Sequence, residues 1–183
     1  QKITAIKHED ATGKAKELLD GVNAKLGFVP NMMATMASSP AVLEGYLNFS
    51  GALGQTLNAK LREQIALTVA EINGCQYCAS AHSAIGKMVG LDTHAIEEAR
   101  RAFSHDAKTD AALKFAKALV VSRGKVSEAD HEAAKIAGFT EKEISEIVAN
   151  VALNVFTNYF NETAKTVVDF PEIEFPLVST TAH

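Results

Sequence analysis

Apolar residues recur at helical spacing from one end of the chain to the other, and alternating β-branched runs bounded by turn residues are nearly absent. The sequence therefore predicts an all-α protein. Ala15, Leu18, Leu19, Val22 and Leu26 share one stripe of a first helix over Thr12 to Leu26, which Gly27 and Pro30 end. A short helix over Asn31 to Ala37 follows. Ser39-Pro40 opens the next, through Leu53, because Ser at the N-cap and Pro at the first helical position both favour a start. Further helices are expected from Asn58 to Asn73-Gly74, from Cys75 to Val89, from Asp92 to Arg101, from Asp106 or Thr109 to about Ser122, and from Ser127 to just before Gly138. The last and longest begins at Thr140. Its Ile144, Ile147, Val148, Val151, Leu153, Val155 and Phe156 make it apolar on more than one side, so it is expected to be central.

From Phe170 onward Pro171 and Pro176 preclude regular helix, and Phe170, Ile173, Phe175 and Leu177 need a surface to cover, either a neighbouring subunit's or the chain's own body. A shift of 82 residues places Asn58 on Thr140, Ile65 on Ile147 and Val69 on Val151, a faint echo of one capped, buried helix type used twice. The second copy has no cysteines.

Length and composition narrow the classes. The chain has 183 residues, 47% hydrophobic and 22% charged, with four prolines, enough for a real core and unlike a disordered or low-complexity chain. It reads as a single helical domain over 1–183, with an informative segment at 61–87 and an extended tail at 170–183. A net charge of −4 gives no general drive toward nucleic acid or anionic membranes. The charged N-terminus does not read as a signal peptide, and no run of 18 apolar residues suits a membrane span, so a cytoplasmic address is expected.

The only two cysteines fall in one C-x-x-C, Cys75 and Cys78, with Gly74 ahead and His82 four residues beyond. On a helix this spacing puts thiols and imidazole on one face, and a helix start favours a thiolate. A zinc site would have three local ligands and no second Cys pair. Covalent haem would need His directly after Cys78, where Ala79 stands, and no βαβ pattern surrounds the motif as in thioredoxin. A redox pair remains, in which one cysteine attacks and the other resolves, with His82 positioned to take the proton of Cys78. On the preceding helix Glu63 faces a largely apolar side and needs a partner such as Arg62, His82 or water; otherwise it is a first-turn acid facing the helix dipole. Glu71, near the helix end, is poorly placed for the dipole and points to a specific partner.

This segment resembles the carboxymuconolactone decarboxylase superfamily and, within it, the alkylhydroperoxidase D-like, peroxidase-related branch. The resemblance rests on Arg62-Glu63, Cys75, Cys78 and His82 at the family's separations, on GFVPN at Gly27 to Asn31 and on NYFNETAKTVVDFP at Asn158 to Pro171. It implies an all-helical fold and a thiol peroxidase acting on hydrogen or organic hydroperoxides. It further implies that Cys78 attacks, Cys75 resolves, His82 relays the proton and Glu63 is linked to that His. No cofactor or metal is implied. The implied partners are a dithiol reductant, either a lipoylated or a thioredoxin-like protein, and further copies of the chain in a trimer or hexamer. Alkylhydroperoxidase D has a second His where Tyr77 stands here, and a phenol is a poor base near neutrality, which bears on the peroxidase rate. The lactone decarboxylases lack the cysteine pair. Two other functions are consistent with the sequence: a non-catalytic redox sensor whose disulfide toggles an oligomer interface, and a decarboxylase-type lyase.

Overall fold

Nine α-helices and a 3-10 turn at His8–Asp10 make up the secondary structure of residues 1–177, the part of the chain that the computed structural model describes. The helices are α1 (Gly13–Leu26), α2 (Asn31–Met36), α3 (Pro40–Leu53), α4 (Ala59–Asn73), α5 (Gln76–Met88), α6 (Thr93–Arg100), α7 (Ala107–Val121), α8 (Glu128–Ile136) and α9 (Glu141–Ala164). The fold is all-α, as the periodicity predicts, and each helix lies within a residue or two of its expected place. Local capping explains that agreement. Asn58, Asp92, Asp106, Ser127 and Thr140 each accept a backbone N–H of their own first turn, and Ser127 and Thr140 do so within capping boxes closed by Asp130 and Glu143. Among the described residues no helix is long and apolar enough to cross a membrane.

Two apolar clusters fill the interior. Leu61, Ile65, Leu67, Val69, Ile96, Leu113, Phe115, Ile144, Ile147 and Val151 bring α4, α6, α7 and α9 together. Leu19, Met32, Met36, Leu43, Ala70, Cys75, Tyr77 and Cys78 join α1, α2 and α3 to the end of α4 and the start of α5. α4 contributes buried residues to both, Leu61, Ile65, Leu67 and Val69 to the first and Ala70 to the second. Its residues Gln64 to Ala70 are buried on every side, so α4 is the spine of the molecule.

The expectation for α9 needs correcting in its second half. Ile144, Ile147 and Val151 are buried, but Val148 and Phe156 are exposed, and Asn154, Thr157, Asn158 and Asn161 occupy the inner face. Spacing explains the phase: from Ile147 the inward positions continue by alternating steps of four and three, through Val151, Asn154 and Asn158 to Asn161. The buried stripe simply becomes polar. Its amides are employed: Asn154 Nδ2 donates to the Asn150 carbonyl, and Asn73 Nδ2 donates to Asn158 Oδ1.

The tail lies on the chain's own body. Phe170, Ile173 and Phe175 pack against the second cluster, so they do not call for a neighbouring subunit. The last six residues of the expected tail, 178–183, lie outside the described residues.

Candidate redox site

Gly74 makes the site's geometry. It adopts φ 71°, and the Cys75 N–H reaches back to the Ala70 carbonyl at 2.9 Å, closing α4 with a left-handed turn that a side chain would strain. The chain then enters α5 at once, with Cys75 as its N-cap. The Cys75 sulfur accepts the Cys78 N–H at 3.3 Å, the contact that a Ser or Asp hydroxyl or carboxylate makes at an ordinary N-cap. Cys75 and Cys78 are joined in a disulfide, and both are buried.

Each sulfur therefore faces an N–H donor. For Cys75 it is the first turn of α5; for Cys78 it is Asn161 Nδ2 on α9, 3.4 Å away, which also contacts Met32 Sδ at 3.2 Å. Such donors favour sulfur as thiolate over thiol. Asn161 Oδ1 is buried without a partner among the described residues, an acceptor on the same amide that meets Cys78. A shallow depression of about 220 Å³ is lined by Gln76, Tyr77, Asn161 and Lys165, so Asn161 both borders it and contacts Cys78.

One helical turn beyond Cys78, His82 meets Glu63. His82 Nδ1 lies 2.7 Å from Glu63 Oε2 across the α4–α5 hairpin. A carboxylate only accepts, so Nδ1 carries the proton and Nε2 of the neutral ring keeps its lone pair. The pairing answers which partner Glu63 takes, since Arg62 instead donates to the Thr56 and Leu57 carbonyls. All four sequence-predicted residues thus occupy one hairpin. His82 itself, in this disulfide state, has no hydrogen bond to either sulfur among the described residues.

Tyrosines surround the pair. Tyr77 OH accepts the Met32 N–H at 3.2 Å, and burial, reinforced by the nearby Asp169 carboxylate, pushes its phenol far above the ordinary range. It is a structural hydroxyl with no capacity to serve as a base near neutrality. On α3, Tyr46 is also held high, by burial first, with the Glu63 charge adding to the effect.

Glu71 has the specific partner its position suggested. Arg100 Nε donates to Glu71 Oε2 at 2.7 Å, Arg100 Nη2 donates to the Glu174 carbonyl at 2.8 Å, and Leu177 N donates to Glu71 Oε1 at 2.6 Å. This ion pair clamps the tail over the cluster that contains the cysteines, where Phe170 meets the Tyr77 ring edge-on at 5.7 Å between centroids.

Sequence reasoning did not single out Asn161, Met32, Tyr46 or Arg100. For Asn161 a signal was present: it lies on the inward spacing of α9 and inside the NYFNETAK run.

The sequence profile of the carboxymuconolactone decarboxylase family matches residues 40–121, a span from α3 through α7 that holds Glu63, Cys75, Cys78 and His82. Over 91% of the chain the fold superposes on 92% of an uncharacterized peroxidase-related protein from Silicibacter sp. TM1040, with a TM-score of 0.78 and 25% identity. Residues 40–121 thus match the carboxymuconolactone decarboxylase family, and the fold as a whole is similar to that of peroxidase-related proteins. Two further likenesses show the same fold. An uncharacterized peroxidase-related protein from Ralstonia eutropha JMP134, an alkylhydroperoxidase AhpD core, has a TM-score of 0.80 at 23% identity over 92% of each chain. The debrominase Bmp8, as a cysteine-to-alanine variant in complex with 2,3,4-tribromopyrrole, has a TM-score of 0.78 at 22% identity, again over 92% of each chain. No curated protein matches the sequence. The family match over residues 40–121 and a Cys-x-x-Cys pair at the core fit an enzyme with a peroxidase-type role.

Proposed function

We propose that the protein is a thiol-dependent peroxidase that reduces hydrogen peroxide or organic hydroperoxides through the Cys75/Cys78 pair. One observation carries the reading: a dithiol closed into a disulfide at a helix start, with a Glu63–His82 pair one turn along the same helix. In the reduced protein His82 Nε2 takes the Cys78 proton, and the thiolate attacks the terminal oxygen of ROOH. The O–O bond breaks, Cys78 becomes sulfenic acid, and the alkoxide leaves as ROH with the proton held by His82. Cys75 then attacks the Cys78 sulfur, the S–S bond forms, and the hydroxide departs as water with the Cys75 proton. An external dithiol, lipoyl or thioredoxin-like, returns two electrons by exchange and is itself left as a disulfide. Glu63 orients the imidazole and stabilises it when protonated, while Asn161 Nδ2 stabilises charge on Cys78.

The test is stoichiometric. Reduced protein is treated with hydrogen peroxide or an organic hydroperoxide while free thiols and intact mass are followed. Loss of two thiols as one intramolecular disulfide, with turnover when a dithiol is supplied, supports the reading. Unchanged thiols under both oxidants refute it, and a single oxidation without turnover marks a sensor instead. The shared fold with a debrominase adds one electron acceptor to the trial, a brominated pyrrole, because the same dithiol could deliver its two electrons to a carbon–bromine bond.

A further inference from the structure

We infer that the protein carries a second, unrelated site: a surface position for a divalent transition metal of the zinc type, ligated by His94, Glu98 and His105. His94 and Glu98 lie four residues apart on one face of α6. The third residue is brought back by the helix end. Ala102 takes a left-handed conformation at φ 56°, the Phe103 N–H closes on the Glu98 carbonyl at 3.0 Å, and the reversed chain returns His105 to the same face. Phe103 holds the His105 ring edge-on at 5.1 Å between centroids. One ligand atom from each residue lies within 4.8 Å of the other two.

The carboxylate is what makes this more than a surface histidine pair. Glu98 is only 9% exposed, and its Oε1 is buried without a well-formed hydrogen bond. Yet that oxygen faces both imidazoles: His94 Nε2 is 2.9 Å away, and His105 Nδ1 is in direct contact. Neither contact has hydrogen-bond direction, and among the described residues no Lys or Arg pairs with Glu98. A buried carboxylate oxygen with no directed hydrogen bond and no permanent cation beside it is costly. A cation bound by all three residues removes that cost.

The ligand set selects the cation. Two imidazoles and one carboxylate suit zinc, copper or nickel, whereas calcium and magnesium prefer oxygen alone. Bonds of about 2.0–2.2 Å put tetrahedral neighbours about 3.3–3.5 Å apart. The imidazoles, 73% and 75% exposed, are free to rotate to that spacing, and one position remains for water. Such a site ties the end of α6 to the segment before α7. Since Thr68 of α4 donates to the Ala99 carbonyl at 2.6 Å, the tie stiffens a helix anchored to the spine.

Zinc alone, titrated calorimetrically into the disulfide form, tests the inference, because the sulfurs are then unable to ligate. One zinc per chain is expected, with a raised unfolding temperature. His94→Ala and His105→Ala should each weaken binding by at least about tenfold and abolish the thermal gain. Both side chains are exposed, so the metal-free variants should unfold at the wild-type temperature. Cobalt(II) on the wild type gives an independent readout, the intense visible bands of four-coordinate geometry. Absence of binding, or equal binding in wild type and both variants, overturns the assignment.

Discussion

Arg100→Met tests whether the buried ion pair holds the tail. In the native protein Arg100 is 4% exposed and Glu71 15%, and the guanidinium also satisfies the Glu174 carbonyl and stacks 5.7 Å from the Phe175 ring centroid. Removing one partner of a buried pair costs about 3–5 kcal/mol, chiefly by stranding the other charge. Glu71 keeps some exposure and retains the Leu177 N–H, so the lower end, about 3 kcal/mol, is the expected loss. For a chain of this length that lowers the melting temperature by about 6–12 °C. Because the tail packs on the cluster containing Cys75 and Cys78, its release should also quicken disulfide reduction by a small dithiol. Adding Glu71→Leu should restore part of the stability, since no charge is then left buried. Urea unfolding of the three proteins, with thiol release followed alongside, checks both effects. A single variant within about 1 kcal/mol of wild type, or a double variant no better than the single, would refute the reasoning.

Cys78→Ser should abolish peroxide consumption, while Cys75→Ser should trap sulfenic acid at Cys78, detectable by mass; the reverse pattern would exchange the two roles. Glu63→Gln and His82→Ala should each slow the peroxide reaction on the order of 10²-fold at neutral pH, and the double variant should lose little more, as expected of groups acting as one unit. Alkylation rate of Cys78 against pH is the check, and superimposable profiles in wild type and Glu63→Gln would remove Glu63 from the mechanism. Tyr77 has a folded-state pKa raised by burial above its unfolded value of about 10, so its contribution is full below that pH and drains away as pH rises beyond it. Alkaline unfolding should therefore begin near pH 10 and be shallower in Tyr77→Phe, and an unchanged alkaline limb would show that Tyr77 is not responsible.

What could be read in advance was what short stretches of chain decide. Caps at Asn58, Asp92, Asp106, Ser127 and Thr140 act within one turn, so helix starts followed from them. The Glu63–His82 pair was legible because a helix, a glycine turn and a second helix fix the register of a hairpin, whichever way the rest of the chain packs. Asn161 touches Cys78 from 83 residues away, and the Arg100–Glu71 contact depends on how α6 crosses α4. Neither is encoded by spacing. On α9 the hydrophobicity signal pointed the wrong way, because Phe156 and Val148 are exposed while asparagines are buried. At the end of that polar stripe, Asn161 donates to the Cys78 sulfur.

Under the proposed function the two acids of α4 divide the work of the site. They are eight residues apart, about 12 Å along the helix axis, and face different partners. Glu63 looks across the hairpin to an imidazole on the helix that carries the sulfurs, so its register is set by α4, Gly74 and α5 alone. Glu71 looks to Arg100 and through it to the tail, which packs over the cluster that holds the sulfurs. Such a division follows from placing the disulfide at the junction of the two helices. Under the proposed function one end of α4 tunes protonation and the other holds the cover, with the cysteines at the junction of α4 and α5. Under the proposed function the buried sulfurs require a route for substrate, and a depression beside Gln76, Tyr77 and Asn161 is bounded by the first turn of α5 and the last turn of α9. Asn161, one of its lining residues, donates to the Cys78 sulfur through Nδ2 and keeps a buried Oδ1 without a partner, which under the proposed function offers an acceptor to a peroxide proton.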